Sequence, residues 1–219
     1  MISFCRFTEL RKFSVAPVVS SSVHYDAANA VARDHWNAWA DALIVERQRL
    51  EKEKLWQCHD WGSSKPRSEN PETQEWLNRA TADFREVLFS RAKDDRSTRS
   101  RVSGIEMKED KVVQCAGRAI DFRGYVFPGH VLFSEAVFDG WVWFQDAKFY
   151  GVATFTSARF CSWAGFQKAK FFGFAEFNDV TFVDNAVFEE ACFECEVRFD
   201  LSEFKLGNIR KAMFKGEAS

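Results

Sequence analysis

The chain has 219 residues, 46% of them hydrophobic, and a formal net charge of −2. That is enough apolar material for one or two packed domains. The near-neutral balance gives no reason to expect direct nucleic-acid binding or an anionic membrane as partner, and no apolar run reaches the ~18 residues that a membrane-spanning helix needs.

Residues 1–23 carry scattered bases and serines without the continuous apolar centre of a signal peptide. They are expected to form a disordered leader. Residues 26–56 read as a long amphipathic helix. Ala32, Trp36, Trp39, Leu43 and Leu50 fall on one stripe, and Glu, Arg and Lys fill the other side. A polar stretch with Gly62, Ser63, Ser64 and Pro66 ends it. A second helix opens at Asn70-Pro71, with Asn suited to the N-cap and Pro to the first turn. It is expected to run to about Ala92, with Trp76, Ala80, Phe84, Val87 and Leu88 on one face. The helical region thus spans 24–95, and a charged linker follows over 96–117, beginning in the run KDDRSTRSR.

From 118 to 206 the chain changes character. Sixteen phenylalanines recur with spacing five, six, five, six: Phe122, Phe127, Phe133, Phe138, Phe144, Phe149, Phe155, Phe160, Phe166, Phe171, Phe177, Phe182, Phe188, Phe193, Phe199 and Phe204. A fixed internal period of this kind marks a solenoid. A helix is excluded, because a five-residue step turns a side chain by ~140° at ~3.6 residues per turn. Short strands fit. Two residues before nearly every Phe stands a small or β-branched residue, such as Val131, Ala136, Val142 and Ala147. Positions two apart share one side of a strand, so each Ala-x-Phe unit points both apolar groups inward. The residues between units turn the chain. Gly129, Gly140, Gly151, Ser162, Gly173 and Asp184 mark the six-residue steps, which are therefore expected to hold the left-handed or bulged corner. The five-residue steps are expected to be ordinary turns. Cys195 and Leu206 break the glycine pattern, so the last corners should be less regular. Residues 207–219 are expected to form a C-terminal tail.

Tandem units such as A-K-F-Y-G-V, A-R-F-C-S-W and A-K-F-F-G-F resemble those of the pentapeptide-repeat family. The resemblance covers roughly 118–206. It implies a mainly β fold, a right-handed quadrilateral β-helix with one pentapeptide per face and four per coil. Two eleven-residue periods then make a coil of ~22 residues, and the region holds about four coils. A three-sided helix is the rival, disfavoured because its coils would alternate in length. The segment W-N-A-W-A-D-A-L-I-V-E-R-Q-R-L-E and the entry I-D-F-R-G-Y-V-F-P-G also resemble the N-terminal region of some bacterial members.

Once the periodic Phe residues are assigned to the core, few features remain for function. With ~22 residues per coil, Trp141 and Trp163 stack on one face with Trp143, and Phe174 lies on the opposite one. Exposed aromatics in a cluster mark a contact surface. Either the N-terminal helices dock there and cap the solenoid, or a protein partner or a second copy does. Glu176, Asp179, Glu189, Glu190, Glu194 and Glu196 make the last part of the solenoid acidic. Some pentapeptide-repeat proteins resemble DNA in shape and charge and modulate type II topoisomerases such as gyrase, which is the alternative role the resemblance offers for this acidic face.

Cys192-x-x-Cys195 has ligand spacing but no second pair of Cys or His beside it. The six cysteines show no disulfide framework, so the chain is read as reduced and cytoplasmic. His24, His35, His59 and His130 are scattered. No nucleophile triad, phosphate loop or metal set is present in the pattern, so no catalytic, cofactor or metal residue is assigned. The expectation is a non-enzymatic interaction or scaffold module with an unidentified protein partner.

Overall fold

The computed structural model describes residues 22–58, 67–91, 112–115, 119–208 and 210–216. The expected leader up to residue 21, His59, the polar stretch from Gly62 to Pro66, most of the linker and the last three residues lie outside them.

Helix α1 (Ser22–Lys52) buries the predicted stripe of Ala32, Trp36, Leu43 and Leu50. Helix α2 (Pro71–Ala80) is capped as its sequence requires. The Asn70 side chain accepts hydrogen bonds from the Glu72 and Thr73 amides at 3.0 and 3.1 Å. The two helices join through Trp76, Leu77 and Ala80 packed on Leu43 and Leu50.

Helix α2 ends at Ala80, well short of the Ala92 expected. Ala82, Phe84, Val87 and Phe89 are the first two units of the solenoid instead. Ala82–Asp83 pairs in parallel with Val131–Leu132, and Leu88–Phe89 pairs with Val137–Phe138. Trp76, Ala80, Phe84 and Val87 satisfy helical spacing, but Phe84 and Phe89 also stand five residues apart. Packing decides between the two patterns: Phe84 stacks on Phe133 at 4.9 Å and Phe89 on Phe138 at 5.0 Å.

Every strand pairing is parallel, and successive strands on a face lie 22 residues apart in the regular part, as in Lys148 against Lys170 and Ala153 against Ala175. The structure is a parallel β-solenoid of about four turns with about 22 residues per coil. Phe rings stack in four ladders, one per side. The first runs Phe84, Phe133, Phe155, Phe177, Phe199. The second runs Phe89, Phe138, Phe160, Phe182, Phe204. The third runs Phe122, Phe144, Phe166, Phe188, and the fourth runs Phe127, Phe149, Phe171, Phe193, Phe214. The opposite first and third ladders meet edge to face, the arrangement that ring quadrupoles favour. Each fully buried ring contributes ~1.5–3 kcal/mol on transfer from water.

Phe214 extends the ladders beyond the sixteen. Ala212-x-Phe214 is a further repeat unit, and Met213–Phe214 is a strand on the fourth face where a tail was expected. The corner between Phe204 and Leu206 is irregular, as the loss of glycine there predicts. The pairing of Thr181–Val187 with Glu203–Asn208 shifts register between Phe182 and Asn185.

The two kinds of corner are the reverse of the expectation. Positive φ falls in the five-residue steps, at Glu86, Gly124, Glu135, Asp146, Ser157, Lys168, Asp179, Glu190 and Leu201. In most of these the amide of the next inward residue donates to the Phe carbonyl three positions back, as Ala136 does to Phe133 at 3.0 Å. A hydrogen-bonded turn with left-handed backbone at its third position is a type II turn. The glycines of the six-residue steps have another reason. Gly129, Gly151 and Gly173 stack coil on coil. A Cβ on Gly151 would fall 2.5 Å from His130 Nδ1 and 2.6 Å from the Gly129 carbonyl carbon, and one on Gly129 would fall 2.7 Å from the Ala80 oxygen. Close approach, not handedness, excludes a side chain there.

Candidate functional site

The end of a stacked solenoid presents an unpaired strand edge and a bare layer of rings. At the N-terminal end α1 closes both. Trp36 lies on Tyr125 and Phe127, with ring centroids 6.0 and 5.8 Å away, and its indole N–H donates to the Val126 carbonyl at 2.8 Å. The Asn37 carboxamide accepts from the Val126 amide at 2.9 Å and donates to the Gly124 carbonyl at 2.9 Å. The helix therefore supplies the hydrogen bonds and the apolar cover that another coil would provide. The docking place differs from the one considered in the sequence: α1 sits on the Tyr125–Phe127 end, not on the tryptophan face.

That face is the third side. Its strands Ala119–Asp121, Trp141–Trp143 and Ala164–Gly165 are in register, with Trp143 opposite Gly165. Trp141 and Trp163 thus occupy matching positions on successive coils. The three indoles are not equally available. Trp163 folds over its own strand, with its ring on Gly165, where a Cβ would collide with it. Trp143 is covered by the Arg123 guanidinium, 4.3 Å from the ring centre, and Arg123 is held by the buried Asp121 at 2.6 Å. Trp141 stands out at 50% exposure. Phe174 is on the opposite, first side, half-buried beneath Arg198 at 5.2 Å.

The acidic residues do not share one side. Glu176 is on the first face and Asp179 at the corner after it, Glu189 and Glu190 turn from the third face to the fourth, and Glu194 and Glu196 turn from the fourth back to the first. Most have partners from neighbouring coils. Glu190 pairs with Lys211 at 3.2 Å and Glu194 with Lys215 at 2.8 Å, while Glu196 pairs with Arg198 of its own coil at 2.6 Å. Glu176 accepts from Thr154, and Asp179 from Ser157. The Lys215 ammonium holds the Glu194 carboxyl below its ordinary range.

Cys192 and Cys195 are separated by the inward Phe193. The Cys192 thiol donates to Glu194 at 3.3 Å, while Cys195 is exposed at the corner with its thiol on the Phe172 carbonyl at 3.2 Å. No group of three or more potential metal ligands occurs among the described residues. His130 is buried in the Gly129–Gly151 corner, where its Nδ1 accepts from the Val152 amide at 2.9 Å. Burial, with a smaller contribution from Arg47, lowers its pKa to about 4. No helix among the described residues is long and apolar enough to cross a membrane.

Residues missed at the sequence level are Asn37 and Arg123. Neither belongs to a periodic pattern, and their roles arise from which element docks on which edge. The repeat units of Phe84, Phe89 and Phe214 did carry a signal, the five-residue step and the apolar residue two positions before.

Four Phe ladders, hydrogen-bonded five-residue turns and a helical end cap define a four-sided parallel β-solenoid assembled from pentapeptide units. A family model described as pentapeptide repeats (9 copies) matches residues 133–180, within that solenoid. No curated protein and no solved structure matches the chain.

Proposed function

We propose that the protein is a non-catalytic, cytoplasmic interaction module, a rigid solenoid that presents the third face around Trp141 to a protein partner. The exposed Trp141 indole carries this reading. It stands on a flat parallel sheet beside Trp163 and the Arg123-covered Trp143, and α1 docks elsewhere and leaves it open. Trp and Arg side chains on a rigid surface are the residue types that dominate binding energy at protein interfaces. The core behind them is filled by Phe ladders and offers no group for chemistry. The acidic residues support the DNA-like alternative less well, because cations of the next coil pair with Glu190 and Glu194, Arg198 pairs with Glu196, and the acids wind around the rod.

Affinity capture with the wild-type chain and with a Trp141→Ala, Trp163→Ala variant tests the proposal. A partner held by the wild type and lost from the folded variant supports it. Identical captured sets would remove it.

A further inference from the structure

The fourth side carries a feature that neither the core nor the helical cap explains. Lys148 and Lys170 are register partners on adjacent strands, and both are exposed. Strands in a sheet lie ~4.8 Å apart, and like charges facing each other across them destabilise it. Neither lysine has an ion-pair partner among the described residues, whereas Lys168 and Lys211 meet Glu190 and Lys215 meets Glu194.

Tyr150 and Phe172 stand two residues further along the same strands. They are half-buried, and their rings stack at 4.7 Å with planes 19° apart. They lie outside the four ladders, since Phe149 and Phe171 are the inward residues. A cationic column and an aromatic column therefore run side by side, ~6.6 Å apart at ~3.3 Å of rise per residue. In the coils on either side the lysine position is held by Val126 and Cys192, both buried, so the patch is confined to two coils.

We propose that this patch binds an extended acidic segment of a partner protein, laid along the strands. One carboxylate sits between the two ammonium groups, and an aromatic or apolar side chain two residues away packs against Tyr150 and Phe172. The lysine pair calls for an anion, which offsets the repulsion that the free chain carries. Side chains two apart on one side of an extended peptide are themselves ~6.6 Å apart, so a carboxylate-x-aromatic spacing meets both columns at once. The borders oppose a long polyanion such as nucleic acid. Asp146 stands at the corner before Lys148, and Glu194 follows Phe172 in the aromatic column.

Anisotropy of a fluorescent peptide of Glu-Ser-Tyr-Ser repeats, titrated with the full chain, tests this. We expect saturable binding that weakens as salt is raised. Glu-Tyr-Ser-Ser repeats put neighbouring acid and ring on opposite sides and should bind at least about fivefold more weakly. Lys148→Ala, Lys170→Ala and Tyr150→Ala should each weaken binding about threefold. Lys170→Glu should abolish binding yet raise the urea midpoint of the free chain, because it turns a repulsive cross-strand pair into an attractive one. Lost binding is then not lost folding. Trp141→Ala should leave the affinity unchanged, which separates this site from the third face. Absence of binding, equal affinity for the two peptides, or lysine variants that bind as the wild type does would overturn the inference. So would tighter binding of single-stranded oligothymidylate than of the Glu-Ser-Tyr-Ser peptide.

Discussion

The side chain of Asn37 pairs with the backbone of Val126 as a neighbouring β-strand would, and with Trp36 beside it turns a helix into the terminal layer of a β-solenoid. The carboxamide also reaches the Gly124 carbonyl. Replacing Asn37 by Leu keeps the volume but leaves the Val126 amide and the Gly124 carbonyl without their partner. Leaving a buried donor or acceptor unsatisfied costs ~1–3 kcal/mol. We expect Asn37→Leu to lower unfolding free energy in urea by that amount, with the m-value unchanged. Loss of the same size from Asn37→Asp would not discriminate, since Asp retains the acceptor and brings a charge.

The corners give a paired test. At Gly151 a methyl group has no space between His130 and Gly129, and overpacking of this kind costs ~1–3 kcal/mol. At Glu135 the backbone is left-handed, with φ of 60°, a conformation that costs an L-residue ~1–2 kcal/mol. Glycine removes that cost and adds unfolded-state entropy of ~0.4–1 kcal/mol. Gly151→Ala should therefore destabilise, while Glu135→Gly should leave stability equal or raise it by up to ~1 kcal/mol. Thermal unfolding of the two variants checks the assignment, and the opposite ordering would restore the glycine corners as the left-handed ones.

The fold was legible because its core is written twice per eleven residues, in Phe133 and Phe138 and again in Phe144 and Phe149. The exceptions share a cause. Phe84 and Val87 meet both helical and solenoid spacing, and only the rings of Phe133 and Phe138 one coil away choose between them. Gly129 and Gly151 were legible as special positions, but a sequence does not say whether glycine serves handedness or closeness, and here the neighbouring coil decides. Trp141 was legible as an outward residue. That Arg123 would cover Trp143, and that Trp163 would lie over Gly165, depended on side chains meeting across coils.

Acid should weaken the fold through His130. Its pKa is about 4 in the folded chain against an ordinary 6.5, because burial disfavours the imidazolium. The unfolded chain then binds more protons between these values, so stability is full above 6.5 and falls as the pH drops towards 4. The loss from this one group is at most about 3 kcal/mol. His130→Asn keeps an acceptor for the Val152 amide without a titrating group. Urea unfolding between pH 7 and pH 4.5 should show a shallower decline for that variant than for the wild type. Equal declines would assign the acid sensitivity to other groups.

The reading of the third face as a partner surface is tested most directly by hydrogen exchange of the chain alone and in complex with a captured partner. We expect new protection in the strands Trp141–Trp143 and Ala164–Gly165 and in the turns that follow them. The fourth-face strands Lys148–Phe149 and Lys170–Phe171 should exchange unchanged. Protection confined to the fourth face or to α1, with none around Trp141, would contradict the account.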